Sequence, residues 1–279
     1  MLRASSEVSQ SPTGMYTRWM SARQFLFADR FSAGAANTLS YLAGQRGRNL
    51  RFYTVHLDDP RYLSVRSLLR TGNLFGLQYI YGTLTNSDGA DPIDYDAIMK
   101  NPAEFYMPAT DALTGRAAYF SKFDIVRDDY RTIMATCALP AFCRPVNVNG
   151  HFYYDGGVAD SIPIIRSLKT GHRKNVIILT RNFGYRKKEG TRGWELYVAA
   201  FRKYPNLVRA LVNRAKHYNQ VLECIEKWEE EGSVFVIRPE IPAVSRLEKD
   251  EEKLREFYQH GYDQMKANFE ALQEFLKEE

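Results

Sequence analysis

Arg30–Asn37 reads RFSAGAAN. It follows the apolar run FLFA at Phe25–Ala28 and leads into NTLSYLAGQ at Asn37–Gln45, a stretch able to form a helix. Strand, serine among small residues, then helix is the layout of a nucleophile elbow, whose usual pattern is Gly-x-Ser-x-Gly. Arg30 stands where that pattern has its first glycine. A serine hydroxyl is a weak nucleophile until a base takes its proton. At a helix N-terminus, the backbone N–H of the next residue, Ala33, can point at a developing oxyanion. Gly34 and Ala35 leave room for a tight turn. On this stretch alone, a helix start rich in small residues reads equally well.

A second stretch, YYDGGVADSIP at Tyr153–Pro163, complements the first. A strand delivers Asp155 at its end, and Gly156 and Gly157 turn the chain and are expected to leave the carboxylate accessible. Such an aspartate can orient or deprotonate a serine hydroxyl with no histidine. It can equally bond its own backbone in an Asx-turn.

Working outward, Phe25–Ala28 reads as a short strand and Ala33–Gly44 as a helix. Arg61–Leu84 mixes Leu and Tyr with glycines and reads as short helices and loops able to cover a site. Glu104–Asp111 and Arg116–Ser121 pattern as a β-hairpin. Asp124–Ala138 patterns as a helix with Asp124 as N-cap, ended by Pro140. Arg144–Gly157 forms a second strand pair turning at Asn149-Gly150. Ile162–Gly171 is a helix with Pro163 in its first turn. NVIILT at Asn175–Thr180 is a continuous apolar, β-branched run, expected to be a strand buried on both faces of a mostly parallel sheet, and Ser233–Pro239 is another. Pro205 to about Glu231 is one long helical segment. Leu254, Tyr258, Gly261, Met265, Phe269, Leu272 and Leu276 mark an apolar stripe expected to pack on the sheet. The fold class is therefore α/β: three layers, a mostly parallel central sheet flanked by helices, with a helical C-terminal extension.

The chain of 279 residues is 44% hydrophobic and 25% charged, which suits a sizeable core. A net charge of +5 suits a basic surface, with contact to anionic lipid as the functional alternative. The three cysteines, Cys137, Cys143 and Cys224, form no disulfide framework and read as structural, which suits a cytoplasmic location. No run of apolar residues is long enough to span a bilayer. The N-terminal MLRASSEVSQSPTG has no apolar core of a secretory signal, and residues 1–24 read as a disordered tail.

In order and spacing, SAGAANTLSYLAG (Ser32–Gly44), ATDALTG (Ala109–Gly115), MATCALPAF (Met134–Phe142) and YYDGGVADSIPI (Tyr153–Ile164) together resemble the patatin-like phospholipases. The likeness looks closest to a bacterial branch with a helical C-terminal extension. It implies a catalytic domain over 25–182 and a mainly helical extension over 183–279 packed on the same core. The resemblance also implies hydrolysis of acyl esters in lipids by a Ser–Asp dyad through an acyl-enzyme, with Ser32 as nucleophile and Asp155 as base. Ala33, Gly34, Gly156 and Gly157 would shape the oxyanion site and turns. Asp111 and Asn37 are candidates for support behind them. No cofactor or metal is implied. Acyl lipid is the implied substrate, with peripheral contact to an anionic membrane at the inner surface; nucleic acid is not an expected partner.

Two departures stand out. The family opens on a strand and a glycine-rich loop whose N–H groups supply much of the oxyanion hole, whereas residues 1–31 hold one glycine, Gly14. Arg30 replaces the elbow's first glycine. Losing one oxyanion donor typically costs roughly 10²–10³ in kcat. The likeness begins abruptly at Phe31, which leads to the expectation of a truncated or frame-shifted start and impaired activity.

A Ser-His-Asp esterase is the rival mechanism, with His172, His217 or His260 following Asp155 in chain order. His172 lies in a helix-to-strand loop and the other two in the helical C-terminal region, so each reads as a surface or satisfied histidine; His56 and His151 precede Asp155. A non-catalytic lipid-binding or scaffold protein is the rival of another class. It would use Arg181, Arg186, Lys187, Lys188 and Arg192, with Phe183, Tyr185 and Trp194 at the interface.

Overall fold

The computed structural model describes residues 25–27, 33–190, 194–245 and 247–277. Ser32, Arg30, Arg192 and the tail over 1–24 lie outside the described residues.

Five strands form one sheet: β1 (Phe25–Phe27), β2 (Glu104–Asp111), β3 (Ala117–Ser121), β4 (Val146–Val148) and β5 (His151–Asp155). Among its pairs, β1–β2 is parallel, and β2–β3, β2–β5 and β4–β5 are antiparallel. The α/β class holds, but the mostly parallel central sheet does not. The reason is connection length: parallel neighbours need a long crossover, while short turns return the chain antiparallel. The turns at 112–116 and at Asn149-Gly150 are both short. Asn149 (φ 52°) and Gly150 (φ 86°) take the left-handed conformation that a two-residue hairpin requires.

β6 (Asn175–Ile178) and β7 (Val234–Ile237) make a separate two-stranded parallel sheet. NVIILT is not buried on both faces. Ile177 is buried, but Val176 is 40% and Ile178 60% exposed. A β-branched apolar run reports strand propensity, not how many faces are covered.

β2 is the buried spine of the large sheet. Phe105, Met107 and Ala109 are almost wholly inaccessible. On it pack α1 (Ala33–Leu42), α2 (Arg48–Thr54), α4 (Tyr95–Lys100) and α5 (Arg131–Cys137), through a cluster that includes Leu39, Leu42, Phe52, Ile98 and Ile133. Between α2 and α4 lies α3 (Val65–Thr71). The Ser64 side chain accepts from Ser67 N at its start, and Gly72 (φ 76°) ends it. A short helical run then passes through a π-turn at Ile80–Leu84, which suits the broken pattern read over 61–84.

The helix expected over 124–138 forms only as α5. Asp124 instead closes a 3-10 turn, its carboxylate accepting from Ser121 N at 2.6 Å. Asp128 sits at φ 59° and its carboxylate accepts from Ser87 N at 2.6 Å, so the chain cannot continue as a helix through it. Among the remaining helices are α6 (Ile164–Lys169), α7 (Trp194–Ala200), α8 (Pro205–Glu230), α9 (Glu251–Ala267) and α10 (Phe269–Lys277). The C-terminal apolar stripe is split between α9 and α10 and does not lie as one band on the sheet. α9 packs against α2, and Leu254 reaches the main core. On α10, Leu272 is buried and Phe275 meets Phe235 of β7 at 5.7 Å between ring centroids. Tyr258 and Leu276 stay exposed.

A buried ion cluster ties the first two helices to the loop before α4. Asp91, 5% exposed, accepts two 2.8 Å hydrogen bonds from Arg51 and one contact of 3.2 Å from His56. Arg48, also buried, lies 3.4 Å from the same carboxylate and donates to Ser40 and Thr85. Burial pushes the Asp91 carboxyl up, but the bonds from Arg51 and His56 and the charge of Arg48 outweigh it, leaving it below its ordinary value.

Candidate active site

The register of β2 fixes where the two sequence motifs meet. Tyr106 pairs with both Phe27 and Ser121, so β1 and β3 lie on opposite edges of β2. Ala109 and Thr110 pair with both β3 and β5, so β5 also lies opposite β3. β1 and β5 therefore share one edge. They run toward each other along it: β1 ends at Phe27 beside Tyr106, and β5 ends at Asp155 beside Ala109. At about 3.3 Å per residue, the two strand ends are ~10 Å apart along the edge.

Asp155 is wholly buried. The expectation of an accessible carboxylate is corrected. Gly156 lets the turn press against the Pro108 carbonyl, where a Cβ would overlap it. The Asp155 Oδ1 accepts from Gly157 N at 2.7 Å, so the Asx-turn is formed. Backbone bonds fix the residue further: Asp155 N donates to Ala138 O at 2.8 Å, just after α5, and Thr110 Oγ1 donates to Asp155 O at 2.8 Å. Gly157 O accepts from Ser161 Oγ at 2.7 Å and from Arg214 Nε on α8 at 2.6 Å. Sequence reading missed Thr110, Ser161 and Arg214. Thr110 stands inside the ATD motif, but no spacing rule links Arg214 to residues so far upstream.

Of the other expected site residues, Ala33 begins α1 and Gly34 lies in its first turn. Asp111 is two positions from Ala109 on β2, but its carboxylate is occupied in the hairpin turn, accepting from Thr114 N at 2.7 Å. Asn37 is exposed on α1, and its carbonyl accepts from Asn49 at 3.3 Å. The structure brings neither to Asp155.

Behind the turn, the Tyr119 hydroxyl donates to Asp160. Burial raises the Asp160 carboxyl above its ordinary value, with the Tyr119 bond and the charge of His217 opposing. The histidines have other engagements. His172 meets Thr170 Oγ1 at 2.9 Å, His260 Nε2 accepts from Glu240 N at 3.1 Å, and His56 joins the Asp91 cluster. His151 lies 3.9 Å from Asp111.

The basic segment after β6 is partly neutralised. Arg186 pairs with Glu226, with one bond of 3.0 Å, and Lys187 lies over the Tyr218 ring at 3.6 Å. Phe183 is 72% exposed, and the residues of α7, including Trp194, Leu196 and Tyr197, are exposed. Cys137 and Cys143 are buried and Cys224 is exposed; all three are free thiols. Among the described residues, no three His, Cys, Asp or Glu side chains are grouped to hold a metal ion, and no helix is long and apolar enough to cross a membrane.

Comparison with known proteins gives three findings. The chain is 25% identical over 241 residues to the uncharacterized protein YjjU of Escherichia coli (strain K12), an alignment that covers 82% of this chain. The chain spans 64% of that protein's length. Residues 204–277, from α8 to the end of α10, match a domain of unknown function (DUF6363). Residues 31–166, the segment that contains the Ser-Ala-Gly-Ala and Asp-Gly-Gly stretches, match the family model of the patatin-like phospholipases.

Proposed function

We propose that the chain is a serine acyl hydrolase acting on lipid esters, with Ser32 as nucleophile and Asp155 as base. One observation carries the reading. β1 and β5 converge on one edge of β2, so the chain leaving β1 toward Ser32 starts ~10 Å from Asp155. Six Cα steps from Phe27 to Ala33 reach up to ~20 Å, ample to bring a serine to that carboxylate.

In this reading the Ser32 hydroxyl attacks the ester carbonyl as its proton passes to Asp155. The tetrahedral intermediate collapses, and the proton goes to the departing alcohol, leaving an acyl-enzyme. Asp155 then takes a proton from water, whose oxygen attacks the acyl carbon; the bond from that carbon to Ser32 Oγ breaks, the carboxylic acid leaves, and the proton passes from Asp155 back to Ser32 Oγ. The Ala33 N–H at the start of α1 is the oxyanion donor, with Gly34 giving the turn its room. Gly156 and Gly157 hold Asp155 by the close fit against Pro108 and the bond to Oδ1. The helical cover over 61–84 would face the acyl chain.

Peripheral contact with an anionic membrane fits the same function. The exposed Trp194, Leu196 and Tyr197 on α7 provide an interfacial surface, and Lys188 nearby provides charge.

The test is hydrolysis of a short-chain chromogenic ester by the purified protein beside Ser32→Ala and Asp155→Asn. Both variants should lose ~10³-fold or more in kcat while keeping the wild-type circular dichroism. Turnover that survives Asp155→Asn rules out the base. A folded protein with no turnover that binds liposomes supports a non-catalytic lipid-binding role.

A further inference from the structure

A groove of about 720 Å³ lies between the hairpin turn 114–116, the loop Val158–Ala159 that follows the Asp-Gly-Gly turn, and one face of α8. Gly115 (φ 66°) packs this turn directly against the Asn206 backbone, where a side chain would not fit. The groove is lined by Arg116, Arg209, Arg214, Lys216 and His217 and by the amides of Asn206, Asn213 and Gln220. Among the described residues, no carboxylate and no Phe, Tyr or Trp ring lines it. Its size suits a small molecule, but its walls suit a polar anion rather than an apolar ligand.

A second feature points the same way. The first half of α8, PNLVRALVNRAKH, carries Arg209, Arg214, Lys216 and His217 and no acid, whereas Glu223, Glu226, Glu229 and Glu230 fall in the second half. Among the described residues, Arg116, Arg209 and Lys216 form no ion pair. Asp160 is the acid whose carboxyl senses His217, and it is bonded to Tyr119.

We propose that this groove is a binding site for a phosphate-ester anion. Arg209 and Lys216 provide the open charges, while Arg214 spans from the groove to Gly157 O at 2.6 Å. An anion held there fixes the turn that carries Asp155 without touching its carboxylate. The site stands on its own geometry and does not depend on the ester-hydrolase reading.

The test titrates the full chain with sn-glycerol 3-phosphate, following the His217 imidazole and Arg214 Nε–H resonances. Saturable shifts are expected, with affinity falling ~tenfold or more in Arg209→Gln/Lys216→Gln. A charge-matched control, Lys266→Gln/Lys277→Gln on α9 and α10, should bind as the wild type does. Absence of saturable shifts, or equal weakening in both double variants, overturns the site. A vesicle arm separates two sources of the phosphate. Phosphatidylglycerol vesicles that bind in preference to phosphatidylcholine, and are displaced by glycerophosphate, assign a lipid headgroup. Glycerophosphate binding with no vesicle preference assigns a soluble phosphate ester.

Discussion

Thr110 Oγ1 donates a 2.8 Å hydrogen bond to the backbone carbonyl of Asp155, and the same hydroxyl accepts the Ala159 N–H at 3.2 Å. One buried side chain thus holds both sides of the Asp-Gly-Gly turn. Thr110→Val keeps the shape and removes both bonds. It leaves a carbonyl and an N–H without this partner, at a cost of about 1–3 kcal/mol. Thr110→Ser keeps the hydroxyl and should recover most of that loss. Urea unfolding of the two variants checks the difference, and equal stability of Val and wild type would overturn the role. If Asp155 is the base, Thr110→Val also lowers kcat more than it alters KM.

Gly156 has a more abrupt requirement. A Cβ at this position overlaps the Pro108 carbonyl on the neighbouring strand, and neither backbone can yield freely. Gly156→Ala should therefore destabilise by about 2 kcal/mol or more and displace Asp155. Gly171→Ala provides the contrast. Its added Cβ meets nothing within 4 Å, so its cost comes from the backbone conformation alone (φ 92°). Gly171→Ala should lose stability without loss of ester turnover, and Gly156→Ala should lose both.

The buried ion cluster predicts a pH effect. Asp91 is held below its ordinary value of 3.8, so its contribution is present above that value and is lost as pH falls through the acid range below it. Removing the charge leaves Arg48 buried without its counter-ion. Asp91→Asn should cost roughly 3–5 kcal/mol near neutral pH. The gap between variant and wild type should narrow as pH drops below 3.8. A gap that stays constant across that range would show that packing, not charge, carries the effect.

How much of this was legible in the sequence differs from element to element. The two hairpins were, because Asn149-Gly150 and the Asp111–Gly115 turn are local chemistry. The 26-residue α8 was, because a long periodic segment with Pro205 at its start has few other readings. Sheet direction was not: β1 and β5 meet on the β2 edge only through pairings distant in sequence. The helix expected from Asp124 failed because Ser121 and Ser87 captured the carboxylates of Asp124 and Asp128, a tertiary outcome that composition does not encode. At the candidate site, the Asp-Gly-Gly turn announced itself by its glycines. Thr110, Ser161 and Arg214 act through backbone groups of other elements, so their own residue types carried no signal.

Thiol reactivity separates the three cysteines. Burial raises the Cys137 thiol to about 12 and the Cys143 thiol to about 11, while Cys224 is exposed on α8. A native protein should release one equivalent with a thiol reagent quickly and the other two only on denaturation. Cys224→Ser should abolish the fast phase and leave the rest unchanged. A second fast thiol in native protein would contradict the packing around α5.

Asp160 gives the opposite sign from Asp91. Burial raises its carboxyl above 3.8, with Tyr119 and His217 pulling it back. A folded state that binds its proton more tightly than the unfolded chain loses stability as pH rises from 3.8 through the raised value, and the loss is then constant. Asp160→Asn is neutral at every pH and keeps an acceptor for the Tyr119 hydroxyl. Relative to wild type, the variant should gain stability across that same window and then hold a steady advantage. The comparison is repeated in a His217→Gln background, where the window should shift upward because His217 lowers the Asp160 carboxyl. A flat difference in both backgrounds would mean that the Asp160 charge is not penalised by its surroundings. The Tyr119 bond would then be a packing contact rather than compensation for a buried carboxylate.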